Sequence, residues 1–136
     1  MEDRPTAFIE AGGGRQIPRT EKEAVAMADV IEFSEWKKLD IRVGAIIRAE
    51  DHPDADKLTL LRVDVGEERQ IVAGLRGYYR SEDLVGKKVV VFVNLRSAKL
   101  RGVESRGMVL AAVDAEEDIV SLLTVDRDAP NGARIE

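Results

Sequence analysis

The sequence predicts an all-β fold: a small, partly open Greek-key barrel of five short strands, with one additional C-terminal strand. Three observations predict it. Apolar and polar residues alternate with a period of two after position 39, turn-forming residues separate the alternating segments, and one helical turn falls between the third and fourth strands. The strand spacing fits an SH3-like barrel nearly as well. A chain of 136 residues has room for one such domain and an extension.

The first half of the barrel is predicted from alternation and turns. Residues 39–49 alternate along a long half-buried first strand, in which Gly44 permits a bend. A turn at residues 52–54 ends this segment, and residues 57–65 form the predicted second strand. Residues 66–68 then provide a hairpin turn into the third strand.

The second half begins with a short third strand at residues 70–73. Ser81 is predicted to cap one helical turn that runs through Leu84. Residues 88–95 are rich in β-branched apolar side chains, which predicts a fourth strand buried on both faces. The predicted fifth and sixth strands are residues 108–113 and 119–125, separated by an acidic turn.

The N-terminal part of the chain has a different pattern, and we predict two domains: an extension at residues 1–32 and a core domain at residues 33–136. The extension begins as a flexible lead, because three consecutive glycines at 12–14 interrupt regular structure. Thr20 and Glu23 have the spacing of a capping box, which predicts that an amphipathic helix follows the lead.

Charge is distributed unevenly along the chain. The whole chain has a net charge of −5, yet residues 87–113 carry six cations and one anion, a local charge of +5. The flanking segments are acidic, and residues 94–112 are predicted to form a basic loop between two apolar strands. A concentrated positive segment in an acidic chain indicates a defined binding site for a polyanion such as a nucleic acid.

Composition excludes several other classes of protein. The chain has no cysteine, so a disulfide framework and thiolate chemistry are excluded. The N-terminal residues lack the basic start and apolar run of a signal peptide, and the longest fully apolar run, residues 89–93, is too short to cross a membrane. We therefore expect a soluble cytoplasmic protein without a membrane partner.

Candidate binding residues lie in and near the basic segment. Polyanion recognition requires cations at the spacing of phosphates together with a few hydrogen-bonding or apolar contacts. Three cations of the segment supply charge, an amide and a hydroxyl supply hydrogen bonds, a methionine supplies an apolar contact, and two cations outside the segment extend the surface. The candidates are Arg42, Lys57, Asn94, Lys99, Arg101, Ser105, Arg106 and Met108.

Several of these candidates have a structural alternative. Lys99 and Arg101 could be ordinary solvated charges. Met108 could belong to the core because it begins a predicted strand, and Asn94 could clamp a loop. Aromatic residues are absent from the predicted basic loop at residues 94–112, which argues against a general single-strand binder that stacks bases on aromatic rings. Tyr78 and its neighbour Tyr79 could reach RNA, although we favour one tyrosine packing and the other being exposed.

Catalytic and metal chemistry are not predicted. His52 lies among three aspartates, but the chain has no other histidine and no cysteine, so a turn in which the aspartates bond the local backbone is the better interpretation. Residues 102–107 resemble a nucleophile elbow, with the first glycine one position too early. We expect no enzyme activity, no catalytic residues, no metal and no cofactor.

Three separated sequence motifs follow one another along the chain: WKKLDIRVG at 36–44, HPDADKL at 52–58 and NLRSAKLRGVESRGMVLAA at 94–112. Together they resemble the tRNA-binding domain that is appended to methionyl-tRNA synthetases. The same domain occurs in free-standing tRNA-binding proteins, in cytokine-like synthetase cofactors and in a small group of secretion chaperones. The resemblance covers about residues 33–136. In the family a proline often follows the Asn-Leu pair, whereas Ser and Ala occupy residues 97–98 here.

The resemblance implies a fold, a ligand and partners. It implies an OB-fold that grips the outer corner of folded tRNA by shape, with Asn94, Lys99, Ser105 and Met108 at the matching contact positions. It also implies homodimers that pair through the C-terminal strands. We expect an accessory or β subunit of methionyl-tRNA synthetase that acts in trans, because no catalytic synthetase domain is present in the sequence. The alternative is a peptide-binding secretion chaperone on the same fold.

Overall fold

The computed structural model describes residues 29–136, and the chain divides into two units, one ending at Lys38 and one comprising Leu39–Glu136. The predicted flexible lead and most of the helix predicted after Thr20 lie outside the described residues. The predicted domain boundary at residue 33 likewise stays a prediction.

The described part of the first unit contains one short helix, α1 (Phe33–Trp36). Its first turn is closed by a capping box, in which the backbone N–H of Glu32 donates to Glu35 Oε1 at 3.0 Å. The ammonium of Lys37 lies 5.8 Å from the centre of the Phe33 ring. None of the residues 29–136 lies in a helix long and apolar enough to span a membrane.

The second unit is a nearly closed five-stranded barrel, as predicted. Its sheet has the order β3-β2-β1-β4-β7, and every neighbouring pair is antiparallel. Two small two-stranded sheets, β5-β6 and β8-β9, accompany it. The elements are β1 (Ile41–Asp51), β2 (Thr59–Asp64), β3 (Glu68–Ala73), α2 (Ser81–Leu84), β4 (Lys88–Phe92), β5 (Ala98–Leu100), β6 (Val103–Ser105), β7 (Met108–Val109), β8 (Ala111–Asp114) and β9 (Ile119–Leu122).

Strand β1, which the alternating pattern predicted, forms one wall of the barrel. Its register with β2 shifts between Ile46 and Arg48, so a β-bulge lies there, shortly after Gly44. Gly44 permits close packing, since a Cβ at this position would lie 2.8 Å from Cγ1 of both Val63 and Val65. β1 pairs with β4 through residues 41–45 and with β2 through residues 45–51, so this one long strand belongs to both halves of the sheet.

The core is formed mainly by the inward faces of β1, β2, β3 and β4. β4 ends at Phe92, three residues before the predicted end, and residues 94 and 95 are exposed. Its middle three residues, 89–91, are all buried, which confirms that the strand itself is covered on both faces. Leu84 of α2 is fully buried and belongs to the same apolar cluster. Because branched side chains fill a small interior densely, the strands hold a rigid frame on which the loops are placed.

The barrel is closed between β3 and the segment that follows β5 partly by side chains. The backbone N–H of Arg106 donates to the carbonyl of Gln70 at 2.8 Å, and the amide of Gln70 donates to the carbonyl of Glu104 at 2.9 Å. The backbone N–H of Val72 donates to the hydroxyl of Ser105 at 2.9 Å. The hydroxyl of Ser105 thus accepts the hydrogen bond that a backbone carbonyl would accept in a regular strand pair.

A C-terminal segment that was not predicted to pair covers the open part of the β1 edge. Val43 donates its N–H to Ala133 at 2.9 Å and accepts from Gly132 at 2.8 Å, and Ile135 donates to Ile41 at 2.8 Å. No alternating pattern marks this segment in the sequence, so its pairing could only be found from the structure.

The predicted basic loop is wrong in one respect, because it contains the β5-β6 hairpin. Leu100 and Val103 are cross-strand partners, so Arg101 and Gly102 form a two-residue turn. Both have positive φ, 52° and 86°, which is the pattern of a type I′ turn whose twist suits a hairpin.

The predicted fifth and sixth strands are also corrected. The fifth divides at Leu110 into β7, which belongs to the barrel, and β8, which pairs with β9 outside it. The sixth strand ends at Leu122. In addition, Arg80 rather than Ser81 occupies the N-cap position of α2, and the hydroxyl of Ser81 donates to Asp51 Oδ1 at 2.8 Å.

Candidate functional site

The β5-β6 hairpin concentrates exposed positive charge. Lys99 and Arg101 are exposed, and Arg106 is exposed directly after β6. Within residues 29–136, none of these three cations makes an ion pair with a carboxylate. Elsewhere in the barrel, cations such as Arg69 and Lys88 have carboxylate partners at 2.8 and 3.6 Å. The hairpin cations are therefore available to a phosphate-bearing ligand.

The tip of the hairpin holds Arg101 in an unusual backbone conformation. Its φ of 52° is in the left-handed region, which costs a residue with a Cβ about 1–2 kcal/mol. An asparagine or a second glycine would suit this position of a type I′ turn better. The strained arginine places a charge at the most projecting point of the hairpin, and strain of this kind is commonly retained where function requires it.

Ser105 lies at the base of the hairpin, where its hydroxyl makes hydrogen bonds within the barrel. It is buried, its hydroxyl accepts from the N–H of Val72 at 2.9 Å, and the same hydroxyl donates to the carbonyl of Gly107 at 3.0 Å. The two bonds join the hairpin to β3 and shape the entry into β7. Its predicted contact with a ligand stays a prediction.

Asn94 and Arg42 meet at Asp40, on another part of the surface. The side-chain oxygen of Asn94 accepts from the backbone N–H of Asp40 at 2.9 Å, so the structural alternative of a loop clamp is realised. Nε and Nη2 of Arg42 donate to the two carboxylate oxygens of Asp40 at 2.7 and 3.1 Å. These hydrogen bonds hold the pKa of the Asp40 carboxyl below its ordinary value. The charge of Arg42 is thus already matched.

Met108 is exposed and lines an apolar groove of about 380 Å³ beside the hairpin. It is therefore a surface residue rather than part of the core. Side chains from the segment before β5, from the hairpin, from β7 and from the β8-β9 sheet line the same groove. Apolar residues among them are Leu95, Leu100, Met108, Val109, Val113 and Val120. The groove joins an apolar surface to the positively charged hairpin.

Lys57 is exposed in the loop between β1 and β2. Backbone hydrogen bonds shape this loop, from His52 N–H to the carbonyl of Leu58 at 3.1 Å and from Leu58 N–H to the carbonyl of Ala55 at 3.4 Å. Arg76 supports it from outside by donating to the carbonyl of Ala55 at 3.2 Å. The loop has a defined shape, and Lys57 makes no ion pair within the described part of the chain.

The two adjacent tyrosines fasten the β8-β9 sheet. Tyr79 packs against the core, and its hydroxyl accepts from the N–H of Leu122 at 3.1 Å. Tyr78 is exposed, and its hydroxyl donates to Asp118 Oδ1 at 2.7 Å, which raises the pKa of Tyr78. This arrangement agrees with the interpretation that one tyrosine packs and one is exposed. No sequence signal connected either tyrosine with β9.

Residues 29–136 contain no group of three or more histidine, cysteine, aspartate or glutamate side chains arranged to hold a metal ion. The surface carries three cations at the hairpin that make no ion pair within the described residues, a nearby apolar groove, and a further cation, Lys57, in an ordered loop. This arrangement suits a ligand that presents phosphates on a defined shape.

Comparison with known proteins agrees with this chemistry. Residues 41–134 match the family model described as "Putative tRNA binding domain". A methionine–tRNA ligase of Methanocaldococcus jannaschii is 56% identical over 106 residues, which cover 77% of this chain and 16% of that protein. One from Thermococcus kodakarensis is 49% identical over 127 residues, which cover 93% of this chain and 17% of that protein. The chain thus spans only about a sixth of these curated relatives.

Solved structures show the same barrel. The crystal structure of a MetRS-related protein from Pyrococcus horikoshii has a TM-score of 0.75 and 38% identity, covering 80% of this chain and all of that chain. The crystal structure of the chaperone CsaA from Bacillus anthracis has a TM-score of 0.72 and 31% identity, covering 79% of this chain and all of that chain.

Proposed function

The chain belongs to the family of tRNA-binding domains, and from that premise we propose that it binds folded tRNA at its outer corner and assists a methionyl-tRNA synthetase. The observation that carries the proposal is the β5-β6 hairpin, whose exposed cations Lys99 and Arg101 make no ion pair within residues 29–136. The overall acidity of the chain repels polyanions elsewhere, so binding concentrates at this hairpin.

Recognition in this proposal is by shape and phosphate contact. Helical RNA is recognised mainly through its phosphates and 2′-hydroxyls, because its deep groove hides the base edges. Lys99, Arg101 and Arg106 contact phosphates, Met108 packs against a ribose or base, and Lys57 extends the contact along the backbone. Ser105, Asn94 and Arg42 support this surface. Their hydrogen bonds within the barrel hold neighbouring segments in place.

The proposed partner is a methionyl-tRNA synthetase in the cytoplasm, with this chain acting in trans as an accessory or β subunit and without catalysis of its own. Support comes from the MetRS-related protein of P. horikoshii, which matches this barrel over its whole length. A second weak contact with tRNA raises the effective concentration of the synthetase near its substrate.

The first prediction compares three ligands: one intact folded tRNA, the same tRNA after unfolding, and an unstructured apolar peptide. We expect the folded tRNA to bind best, with a log–log salt dependence of about −3 to −5 because a handful of phosphates lose their counterions. Fluorescence anisotropy at several salt concentrations measures both. Equal binding of folded and unfolded tRNA would contradict recognition by shape.

A second candidate function is peptide binding, as in a secretion chaperone. The apolar groove beside the hairpin and the likeness to the B. anthracis chaperone favour it. The same titration separates the two functions. Binding of the peptide that tRNA does not displace, without binding of tRNA, would assign the groove to peptides and make the hairpin charges a solvated surface.

We further propose that the protein is a homodimer that pairs through its β8-β9 sheet. Val113 is 71% exposed and Ile119 is 49% exposed on this two-stranded sheet, which extends outside the barrel. Short sheets with apolar faces and open edges favour pairing with a second copy.

We expect light scattering to give a dimer for the unaltered chain and a monomer for Val113→Glu, because a carboxylate at this position would be buried without a partner. Val85→Glu is the matched control. Val85 is 51% exposed after α2, away from this sheet in the chain, and its substitution is expected to leave the dimer intact. A monomeric unaltered chain at all practical concentrations would overturn the proposal.

A further inference from the structure

His52 is a buried histidine whose two ring nitrogens both contact backbone groups. It is only 2% exposed. Nδ1 accepts from the backbone N–H of Asp54 at 2.9 Å, and Nε2 lies 3.2 Å from the carbonyl oxygen of Leu100. A backbone N–H can only donate and a carbonyl can only accept. The two contacts therefore require the neutral ring with its proton on Nε2.

These contacts connect two segments that lie far apart in the sequence. His52 follows β1, whereas Leu100 lies 48 positions later, at the end of β5 and directly before the Arg101–Gly102 turn. On its own side, His52 belongs to the ordered loop that carries Lys57. Its backbone N–H donates to the carbonyl of Leu58 at 3.1 Å. The ring is thus a bridge between the loop with Lys57 and the turn with Arg101.

The hairpin needs such a bridge. All three residues of β5 are exposed, and a hairpin with three residues in each strand is at best marginally stable by itself. Its base is held by Ser105, whose hydroxyl bonds to β3. Near its tip, the hairpin is held to the rest of the barrel by the hydrogen bond between Leu100 and His52. This bond also opposes relaxation of the strained backbone at Arg101.

We propose that His52 is a positioning residue of the tRNA site. It holds the Arg101 turn at a set place relative to the Lys57 loop, so that the two cation-bearing segments meet one ligand together. This inference rests on the proposed function, since it assumes that the hairpin cations contact tRNA. His52 itself makes no contact with the ligand.

Two conservative variants separate the two ring contacts. His52→Asn keeps an acceptor near the position of Nδ1 but is too short to reach Leu100. His52→Gln places an amide donor near the position of Nε2 and can restore the bond to Leu100. We expect His52→Asn to weaken binding of folded tRNA about fivefold to tenfold and to reduce the salt slope by about one, because Arg101 no longer contacts its phosphate. We expect His52→Gln to bind within about twofold of the unaltered chain.

A double variant tests whether the effect passes through Arg101. In an Arg101→Ala background, His52→Asn should cause little further loss, since residues that act through one contact are not additive. Full additivity, or equal losses of affinity in His52→Asn and His52→Gln, would overturn the positioning role. So would unchanged binding in His52→Asn, while the tRNA site itself would stand.

A structural readout keeps the inference testable if the unaltered chain fails to bind tRNA. Imidazole ¹⁵N chemical shifts should show the tautomer with the proton on Nε2. Hydrogen exchange at the amide of Val103, the cross-strand partner of Leu100, should become faster in His52→Asn and stay slow in His52→Gln, because the hairpin tip is released only in His52→Asn. The opposite tautomer, or equal exchange in both variants, would refute the bridge irrespective of the ligand.

Discussion

Replacing Lys99 and Arg101 together with alanine is expected to weaken binding of folded tRNA by about 30-fold. Each cation, in contact with one phosphate, is expected to contribute about 1 kcal/mol, and about 2 kcal/mol corresponds to this change in Kd. The salt slope should fall by about two, since two fewer counterions are released. Anisotropy titrations at three or more salt concentrations measure both quantities. Because neither side chain makes an ion pair within residues 29–136, folding should be unaffected.

The matched control removes two cations from other parts of the barrel. Arg62 is half-buried and lies 3.9 Å from Glu68, whereas Arg80 is exposed and lies 3.2 Å from Asp83, so both have carboxylate partners. Arg62→Ala/Arg80→Ala changes the net charge by the same amount and should weaken binding less than threefold. If both double variants lost affinity equally, binding would depend on net charge alone and the hairpin would not be the site.

Ser105→Ala is expected to lower the free energy of unfolding by about 2–3 kcal/mol. The Ser105 hydroxyl satisfies the N–H of Val72, which is 5% exposed, and the carbonyl of Gly107. Removing it leaves the Val72 donor buried without a partner, and a loss of this kind costs about 1–3 kcal/mol. Urea unfolding should show a lower midpoint with a similar m-value.

Ser97 offers a matched control in the same segment. It is exposed before β5, so Ser97→Ala should change the free energy of unfolding by less than about 0.5 kcal/mol. Equal stabilities of the two variants would show that the Ser105 hydroxyl does not close the barrel. A loss of tRNA binding by Ser105→Ala at a temperature where the barrel is folded would show that the hydroxyl contributes to the site, through the predicted contact with the ligand or through its hold on the base of the hairpin.

The barrel strands could be predicted because their patterns are local. Alternation over residues 39–49 and the apolar run after Lys88 both reflect burial, which acts on each residue separately. The hairpin turn was missed because Arg-Gly is not the usual composition of a type I′ turn. Pairing of the C-terminal segment with β1 was also missed, since that segment contributes backbone groups and carries no alternating pattern.

The candidate site was predictable in its charges and not in its hydrogen bonds. The excess of cations around Lys99 is visible in the sequence, and the structure places these cations on one hairpin. The partner of Ser105 lies 33 positions earlier, and that of Asn94 lies 54 positions earlier. Such contacts depend on how strands meet in three dimensions. The pairing of Arg42 with Asp40 is different, because it is a local contact between residues two positions apart.

The contact between Arg134 and Leu39 has a consequence for how this barrel is combined with other polypeptides. Nη2 of Arg134 donates to the carbonyl of Leu39 at 3.3 Å, although the two residues are 95 positions apart. The two ends of the barrel unit therefore lie at one corner. A unit with adjacent ends can be appended to another protein, or inserted into one of its surface loops, with little disturbance of either fold. A protein fused to either end of the barrel would accordingly lie next to the same corner.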